Sequence, residues 1–335
     1  MNDAREKLFA LTGGWQTACV ILAASELDLF TEIIKRGTAT AEELARELKL
    51  DLKGTTYLLA ALTSLELTTR TNGAFQVVDE FAPCLDSRSP NAIAPMLRHQ
   101  ANCLRNWAQL AWTVKSGVPI PSTCGVNDAF VEFQDFILAM DVIAKKIAPV
   151  MAQKLLDAGL LDFERMLDLG GASGTYSFAF LEKNPDADAR SVLFDRPAAL
   201  EEAKNKAANS PYADRLEYYP GDFYVTPYPT DVDFVWISAI IHQQGDDETE
   251  KMFKRSFDAL RSGGRVGVRD VYINDDFTGP KPAAFFGLNM LVRRKDGKVY
   301  NAKETIALLT KVGFQNARLA LPADDMTAVI VAEKP

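Results

Sequence analysis

The alternation of apolar and polar positions divides the chain into three regions. In ATAEELARELKL (39–50), Leu44, Ala45 and Leu48 share one helical face, and Thr40 with Glu43 has capping-box spacing. A second helix is expected over GTTYLLAALTSLEL (54–67), and TTRTNGAFQVV (68–78) alternates around an Asn-Gly pair, as a β-hairpin does. Helix, turn, helix and hairpin predict a winged helix. The preceding stretch, WQTACVILAASELDLFTEI (15–33), reads as a helix apolar on too many sides to be solvated, which predicts burial against a second chain. Residues 91–155 read as helices rich in Trp, Phe and Met, broken at SGVPIPSTCG (116–125). Beyond them, the short runs RMLDLG, SVLFD, DFVWIS and RVGVRDVYI alternate with helical stretches, which predicts a parallel, doubly wound α/β sheet. ARLALPADDMTAVIVAEKP (317–335) reads as two strands around a Pro-Asp turn, an antiparallel edge. The expected domains are 1–90, 91–155 and 156–335.

Composition narrows the function. The 335 residues are 47% hydrophobic, enough for a sizeable core, and carry a net charge of −8. That balance argues against a large nucleic-acid footprint. The second helix agrees, because it offers Thr, Tyr, Leu, Ala, Ser and Glu where a recognition helix needs Arg, Lys, Asn or Gln. Mean hydropathy is −0.07 and no run approaches about twenty consecutive apolar residues. With no cleavable apolar segment after MNDAREKLFA, a cytoplasmic protein without membrane contact is expected. Cys19, Cys84, Cys103 and Cys124 are widely spaced, which predicts buried free thiols and no metal site.

The candidate chemistry begins at Asp168-Leu169-Gly170-Gly171-Ala172-Ser173-Gly174, between a strand and a helix expected from Thr175. Glycines let the backbone turn sharply and a ligand approach closely. The next strand ends at Asp195, 21 residues beyond Gly174, where an acid can accept hydrogen bonds from ribose hydroxyls. Ala172 and Thr175 stand where a dinucleotide fingerprint wants glycine, so a nucleoside without phosphates, S-adenosylmethionine, fits better. A third strand ends in Pro220-Gly221-Asp222-Phe223, an acid for an adenine amino group and an aromatic for its face. His242, one of two histidines, follows the apolar run ISAII and precedes QQGDDE. It is either a structural residue at a strand end or a base.

The order of AEELARELKL, NWAQLAWTVKSG, FILAM, MLDLGGASG, LFDRP, GDF, IIH with DDE, RSGGRVGVRD and LLTKVGF resembles the class I S-adenosylmethionine-dependent O-methyltransferases with an N-terminal winged-helix dimerisation domain. That family includes caffeic-acid type plant enzymes and bacterial natural-product relatives. The resemblance implies a homodimer that binds S-adenosylmethionine and methylates a hydroxyl of a small aromatic or polyketide-like molecule. By position it implies cofactor contacts at Gly170, Gly171, Gly174, Asp195, Arg196, Asp222, Phe223 and Ser238. It implies His242 as general base, oriented by Asp270 at the end of RVGVRD. Acceptor contacts fall on His99, Trp107, Phe136, Met140, Met290 and Arg294.

The chain also departs from the family pattern. Gln243 and Gln244 follow the histidine in place of Asp-Trp, and Ala239 stands where Lys or Arg is frequent. Gly297-Lys298-Val299-Tyr300-Asn301 lacks the Glu of the plant G-K-E-R-T stretch, so one of two carboxylates around the imidazole is gone. Methylation of carbon or nitrogen, or a non-methylating reaction on the same fold, therefore stays open. So does a ligand-responsive DNA-binding regulator. Arg294 is either a clamp for an anionic substrate group or a solvated cation beside Arg293 and Lys295.

Overall fold

In the computed structural model, which describes residues 2–121, 125–208 and 210–335, the chain divides into two compact units. One comprises Met1–Arg105 and Thr123–Ala139, the other Asn106–Ser122 and Met140–Pro335. The middle region 91–155 thus contributes to both.

The first unit opens with α1 (Asn2–Thr12), α2 (Trp15–Glu26) and α3 (Leu29–Arg36). The single apolar helix expected over 15–33 is two helices. The chain breaks at Asp28, whose φ of 53° is left-handed, and this turns Leu29, Phe30 and Ile33 into the core. No uninterrupted apolar run of about twenty exists. Asp3–Glu26 is nevertheless long and apolar enough to cross a membrane by length and composition, with Gly13 and Gly14 in a turn between its two helices. Helices α4 (Ala41–Glu47) and α5 (Leu52–Ser64) precede the hairpin of β1 (Thr68–Thr71) and β2 (Ala74–Val77). The capping box is present: Thr40 Oγ1 accepts from the Glu43 N–H, and Glu43 accepts from the Thr40 N–H at 2.8 Å. Leu44 and Ala45 are buried as their shared face requires. Helices α6 (Ala82–Leu85) and α7 (Ala94–Trp107) follow.

The second unit contains α8 (Leu110–Ser116) and most of α9 (Ala129–Asp157). The sheet then forms from β3 (Arg165–Leu169), β4 (Arg190–Asp195), β5 (Leu216–Pro220), β6 (Val232–Ser238), β7 (Leu260–Asp270), β8 (Gln315–Leu321) and β9 (Ala328–Glu333). Helices α10 (Thr175–Lys183), α11 (Pro197–Ala207), α12 (Asp246–Ala259), α13 (Lys281–Arg293) and α14 (Ala302–Val312) lie between these strands in sequence. The spatial order is β5-β4-β3-β6-β7-β9-β8, the first five strands parallel and β9 inserted antiparallel between β7 and β8. The strand expected over 265–273 instead starts at Leu260 and stops at Asp270. Val271–Ile273 leaves the sheet, with the Ile273 N–H bonded to the Tyr300 carbonyl at 3.0 Å.

Side chains alternate across these strands. Leu167, Leu169, Ile237, Val266 and Val268 face one core cluster, and Met166, Phe234, Trp236, Val329 and Val331 face the other. The strand order reverses between β4 and β6, around β3. Ligands of open α/β sheets bind at the carboxyl ends of the strands at such a switch point. Cys19, Cys84 and Cys103 carry no disulfide and are half-buried, not buried as expected. Cys124 lies outside the described residues.

Candidate functional site

The loop after β3 is held open by its glycines. Gly170 (φ +66°) and Gly174 (φ +73°) are left-handed, and Ala172 (φ 48°) is an unusual non-glycine in that region. A Cβ on Gly170 would collide with Ile240 and come within 3.5 Å of the Phe223 ring, while one on Gly171 would strike Leu193 and lie 2.6 Å from Asp168 Cγ. Asp195, at the end of β4, accepts from the Ala172 N–H at 2.8 Å and from the Arg196 N–H at 2.7 Å. Burial, together with the charge of Asp222, pushes its carboxyl above the usual range. Asp222 is exposed and accepts from the Tyr224 N–H at 2.9 Å, and Phe223 packs on the core edge. The structure thus brings Gly170, Gly171, Asp195, Asp222 and Phe223 to one end of the sheet. Carboxylates retain free lone pairs there, beside an aromatic face and a backbone without Cβ atoms, an arrangement that can hold a nucleoside.

Two buried acids flank this loop: Asp168, with which the sequence motif opens, and Asp141, which the sequence reading missed. Asp141 on α9 accepts from Ser173 Oγ at 2.6 Å and Thr175 Oγ1 at 2.5 Å, and pairs with Lys145 at 2.9 Å and with Lys206. Burial alone would raise its pKa. The Lys206 ammonium and the two hydroxyls outweigh burial and hold it at about 2. Asp168 on β3 accepts from the Ser177 hydroxyl at 2.7 Å and from the Ser177 backbone N–H, and has no cation among the described residues. Burial, with the charge of Asp195, pushes it up to about 7. A sequence signal existed for Asp141, since it lies four residues after buried Ile137 and seven before buried Ala148, on the apolar face of its helix.

The other half of the site lies beyond β6. Ala239, at φ 57°, turns the chain off the strand into a short 3-10 turn, Ile241–Gln243. His242 is 7% exposed and Asp270, the last residue of β7, is 1% exposed. Nδ1 of His242 lies 2.8 and 3.0 Å from the two Asp270 oxygens. A carboxylate only accepts, so Nδ1 carries a proton, and Nε2 has no partner among the described residues. Asp270 also accepts from the Val271 N–H at 2.8 Å. Phe286 of α13, absent from the sequence reading, meets the imidazole edge-on with centroids 4.7 Å apart.

The run that lacks the family's second acid serves otherwise. The Lys298 N–H donates to the His242 carbonyl at 3.0 Å, and Gly297 passes so close that a Cβ would lie 3.1 Å from that same oxygen. Val299 is buried in a cluster that Phe286 packs against. The segment therefore pins the backbone of His242 and gives its surroundings an apolar wall.

The remaining expected residues are placed as follows. Ser238 ends β6 and accepts from Arg269 Nη1 at 2.7 Å. Gly174 is the N-cap of α10, and Arg196 is the N-cap of α11. In the first unit, buried His99 meets Phe136 edge-on at 5.3 Å. In the second, Trp107 donates to Asn289 Oδ1 at 3.0 Å and stacks on Phe285, while Met290 is buried and Met140 half-buried. Arg294 is exposed and lies 3.4 Å from Gln243 Oε1. It lines a groove of about 640 Å³ that also contains Tyr224, Asp246, Asp247 and Glu248, so the groove is not uniformly cationic. Among the described residues, no group of three or more His, Cys, Asp or Glu side chains could hold a metal ion.

This fold is that of the S-adenosylmethionine-dependent methyltransferases, and the chain is such an enzyme. Residues 107–315 match the family model of the O-methyltransferase domain and residues 9–79 that of the O-methyltransferase dimerisation domain, and the chain belongs to this family. It is 26% identical over 315 residues to 3-hydroxy-5-methyl-1-naphthoate 3-O-methyltransferase of Streptomyces sahachiroi, covering 92% of this chain and 88% of that protein. It is 25% identical over 329 residues to the tetracenomycin polyketide synthesis 8-O-methyl transferase TcmO of Streptomyces glaucescens, covering 96% and 95%. Human N-acetylserotonin methyltransferase, solved in complex with S-adenosylmethionine, has the same fold. Its TM-score is 0.76 at 23% identity, covering 99% of this chain and 97% of that one.

Proposed function

We propose that the protein methylates a hydroxyl of a small aromatic or polyketide-like acceptor, with His242 as general base. The observation that carries this reading is the buried His242–Asp270 pair, in which both carboxylate oxygens engage Nδ1 and Nε2 is left free. The two Streptomyces relatives, named as O-methyltransferases acting on a naphthoate and in tetracenomycin synthesis, support the acceptor class.

S-adenosylmethionine supplies an electrophilic methyl group on a sulfonium, so the protein's task is alignment and control of the acceptor's proton. Gly170 and Gly171 leave room for the nucleoside, Asp195 accepts from ribose hydroxyls, and Asp222 and Phe223 take the adenine. Gly174, Arg196 and Ser238 complete that end of the site. His242 Nε2 takes the proton of the acceptor hydroxyl as its oxygen becomes the nucleophile. Asp270 fixes the tautomer and stabilises the imidazolium that results. Trp107, Met140, Met290 and Arg294 are acceptor contacts in this reading. Residues 9–79 mediate a homodimer, consistent with the exposed Leu11 and Trp15.

The test is a panel of hydroxylated aromatics with methyl-labelled S-adenosylmethionine, each paired with its amino and O-blocked analogues. Label should pass to the free hydroxyl, with S-adenosylhomocysteine released in equal amount. Label on carbon or nitrogen, or turnover without S-adenosylhomocysteine, would contradict the reading.

A further inference from the structure

Arg269 is out of keeping with its surroundings. It sits on β7, two sheet positions from the antiparallel edge, one residue beyond the fully buried Val268, and is itself 3% exposed. Of the five N–H donors of a guanidinium, one is used, in the 2.7 Å bond from Nη1 to Ser238 Oγ. Its Nε has no acceptor, and no carboxylate lies within salt-bridge distance among the described residues. The guanidinium carbon stands 5.3 Å from the centroid of the Tyr176 ring. A ring face offsets only part of what it costs to bury a cation without an anion.

The neighbours share the deficit. The Tyr176 hydroxyl lies close to Ser238 but makes no hydrogen bond of full geometry, and the indole N–H of Trp236, whose ring centroid is 5.7 Å from that of Tyr176, has no partner among the described residues. Three of the five buried side-chain polar atoms without a full hydrogen bond among the described residues therefore gather in one place. Each of the three can donate, and one belongs to a cation, so the group that would complete them is an anionic acceptor. Tyr176 is the second residue of α10, directly after the glycine loop, and Ser238 ends the strand next to β3. The unfilled donors thus lie against the loop assigned to the nucleoside. S-adenosylmethionine has one anionic group, the carboxylate of its methionyl tail.

We propose that Arg269, with the hydroxyl of Tyr176, receives the methionyl carboxylate of S-adenosylmethionine. This rests on the glycine-loop reading given under Proposed function. Arg269 binds and orients the tail; it takes no part in proton transfer.

Calorimetric titration of the full-length protein with S-adenosylhomocysteine, and with S-adenosyl-3-thiopropylamine, which differs only by loss of the carboxylate, tests the proposal. Wild type should prefer S-adenosylhomocysteine by a factor on the order of 10 to 100, the range of a hydrogen-bonded charge. Arg269→Gln should lose that preference by weakening S-adenosylhomocysteine alone, with the analogue bound as in wild type. Arg269→Lys, which keeps the buried charge and guards against loss of folding in the neutral variant, should retain part of the preference. If Arg269→Gln weakens both ligands equally, or neither, Arg269 is a packing residue and the proposal fails. If wild type binds neither ligand, the glycine-loop reading falls first, and the two failures are thereby told apart.

Discussion

Arg269 and Asp270 are consecutive residues of one strand, and alternation sends them to opposite faces of the sheet. On one face Asp270 engages the His242 imidazole through both oxygens and takes a backbone N–H as well. On the other, Arg269 has one hydroxyl. The difference fits the two roles proposed for these residues. A group that must orient a base needs its partner in place before any ligand arrives. A group that receives a ligand keeps its donors unfilled until then. The two acids flanking the glycine loop extend the contrast. Asp141 has cations and hydroxyls and is held at about 2, whereas Asp168 has the hydroxyl and N–H of Ser177 and is pushed to about 7.

The largest effect is expected where the satisfied pair is broken. Asp270→Asn should lower turnover about 10²- to 10⁴-fold, the range of general-base loss, by leaving the imidazole in the wrong tautomer. Affinity for S-adenosylhomocysteine should hold within about twofold. A comparable loss of cofactor affinity would place Asp270 in the framework of the sheet and erase its contrast with Arg269.

Asp141→Asn comes next, because it leaves the half-buried Lys206 ammonium without its buried carboxylate. Thermal or denaturant unfolding should show a loss of roughly 3 kcal/mol, the scale for removing one partner of a buried pair. With a folded-state pKa of about 2, below the ordinary carboxylate value of 3.8, the stabilisation from Asp141 is complete above pH 4. It is lost as pH falls through about 2. Equal acid sensitivity of wild type and variant would contradict the assignment.

Asp168 should behave in the opposite sense. Its carboxyl is pushed up to about 7 in the folded chain, so the native state holds a proton that the unfolded state releases near pH 4. Wild-type stability should therefore fall as pH rises from about 4 to about 7, and Asp168→Asn should flatten that decline. Parallel stability curves for the two proteins would sink this prediction. The smallest effect belongs to Arg294, which is exposed and faces mixed charge. Arg294→Ala should leave neutral acceptors within about twofold and weaken carboxylated ones by at most about tenfold. A larger change with neutral acceptors would move Arg294 into the acceptor site on packing grounds.

Local pattern carried much of the architecture. The capping box at Thr40 and Glu43, the Asn-Gly hairpin and the first three strand runs of the sheet each depend on neighbours in sequence, and each forms where the pattern puts it, while the fourth run is shifted to Leu260–Asp270. The break at Asp28 was illegible, because the apolar residues on both sides suit one helix as well as two. In the site, motif order gave the loop glycines, Asp195, Asp222 and Phe223, which the fold gathers at the carboxyl ends of three neighbouring strands. It also gave His242 and Asp270, whose 28-residue separation in sequence the β6–β7 pairing closes. Asp141, Phe286 and Arg269 could not be read as partners, since their contacts cross 32 residues or more, or depend on which face a strand residue takes. An arginine inside RVGVRD was itself a sequence signal: a charge in an interior strand needs an explanation.

The most direct measurement is the turnover of His242→Ala with labelled S-adenosylmethionine and a hydroxylated aromatic acceptor, beside its affinity for S-adenosylhomocysteine. Turnover should fall about 10²- to 10⁴-fold while affinity holds within about twofold. Undiminished turnover in the folded variant would contradict the account, and His242 would then be a packing residue at the end of its strand.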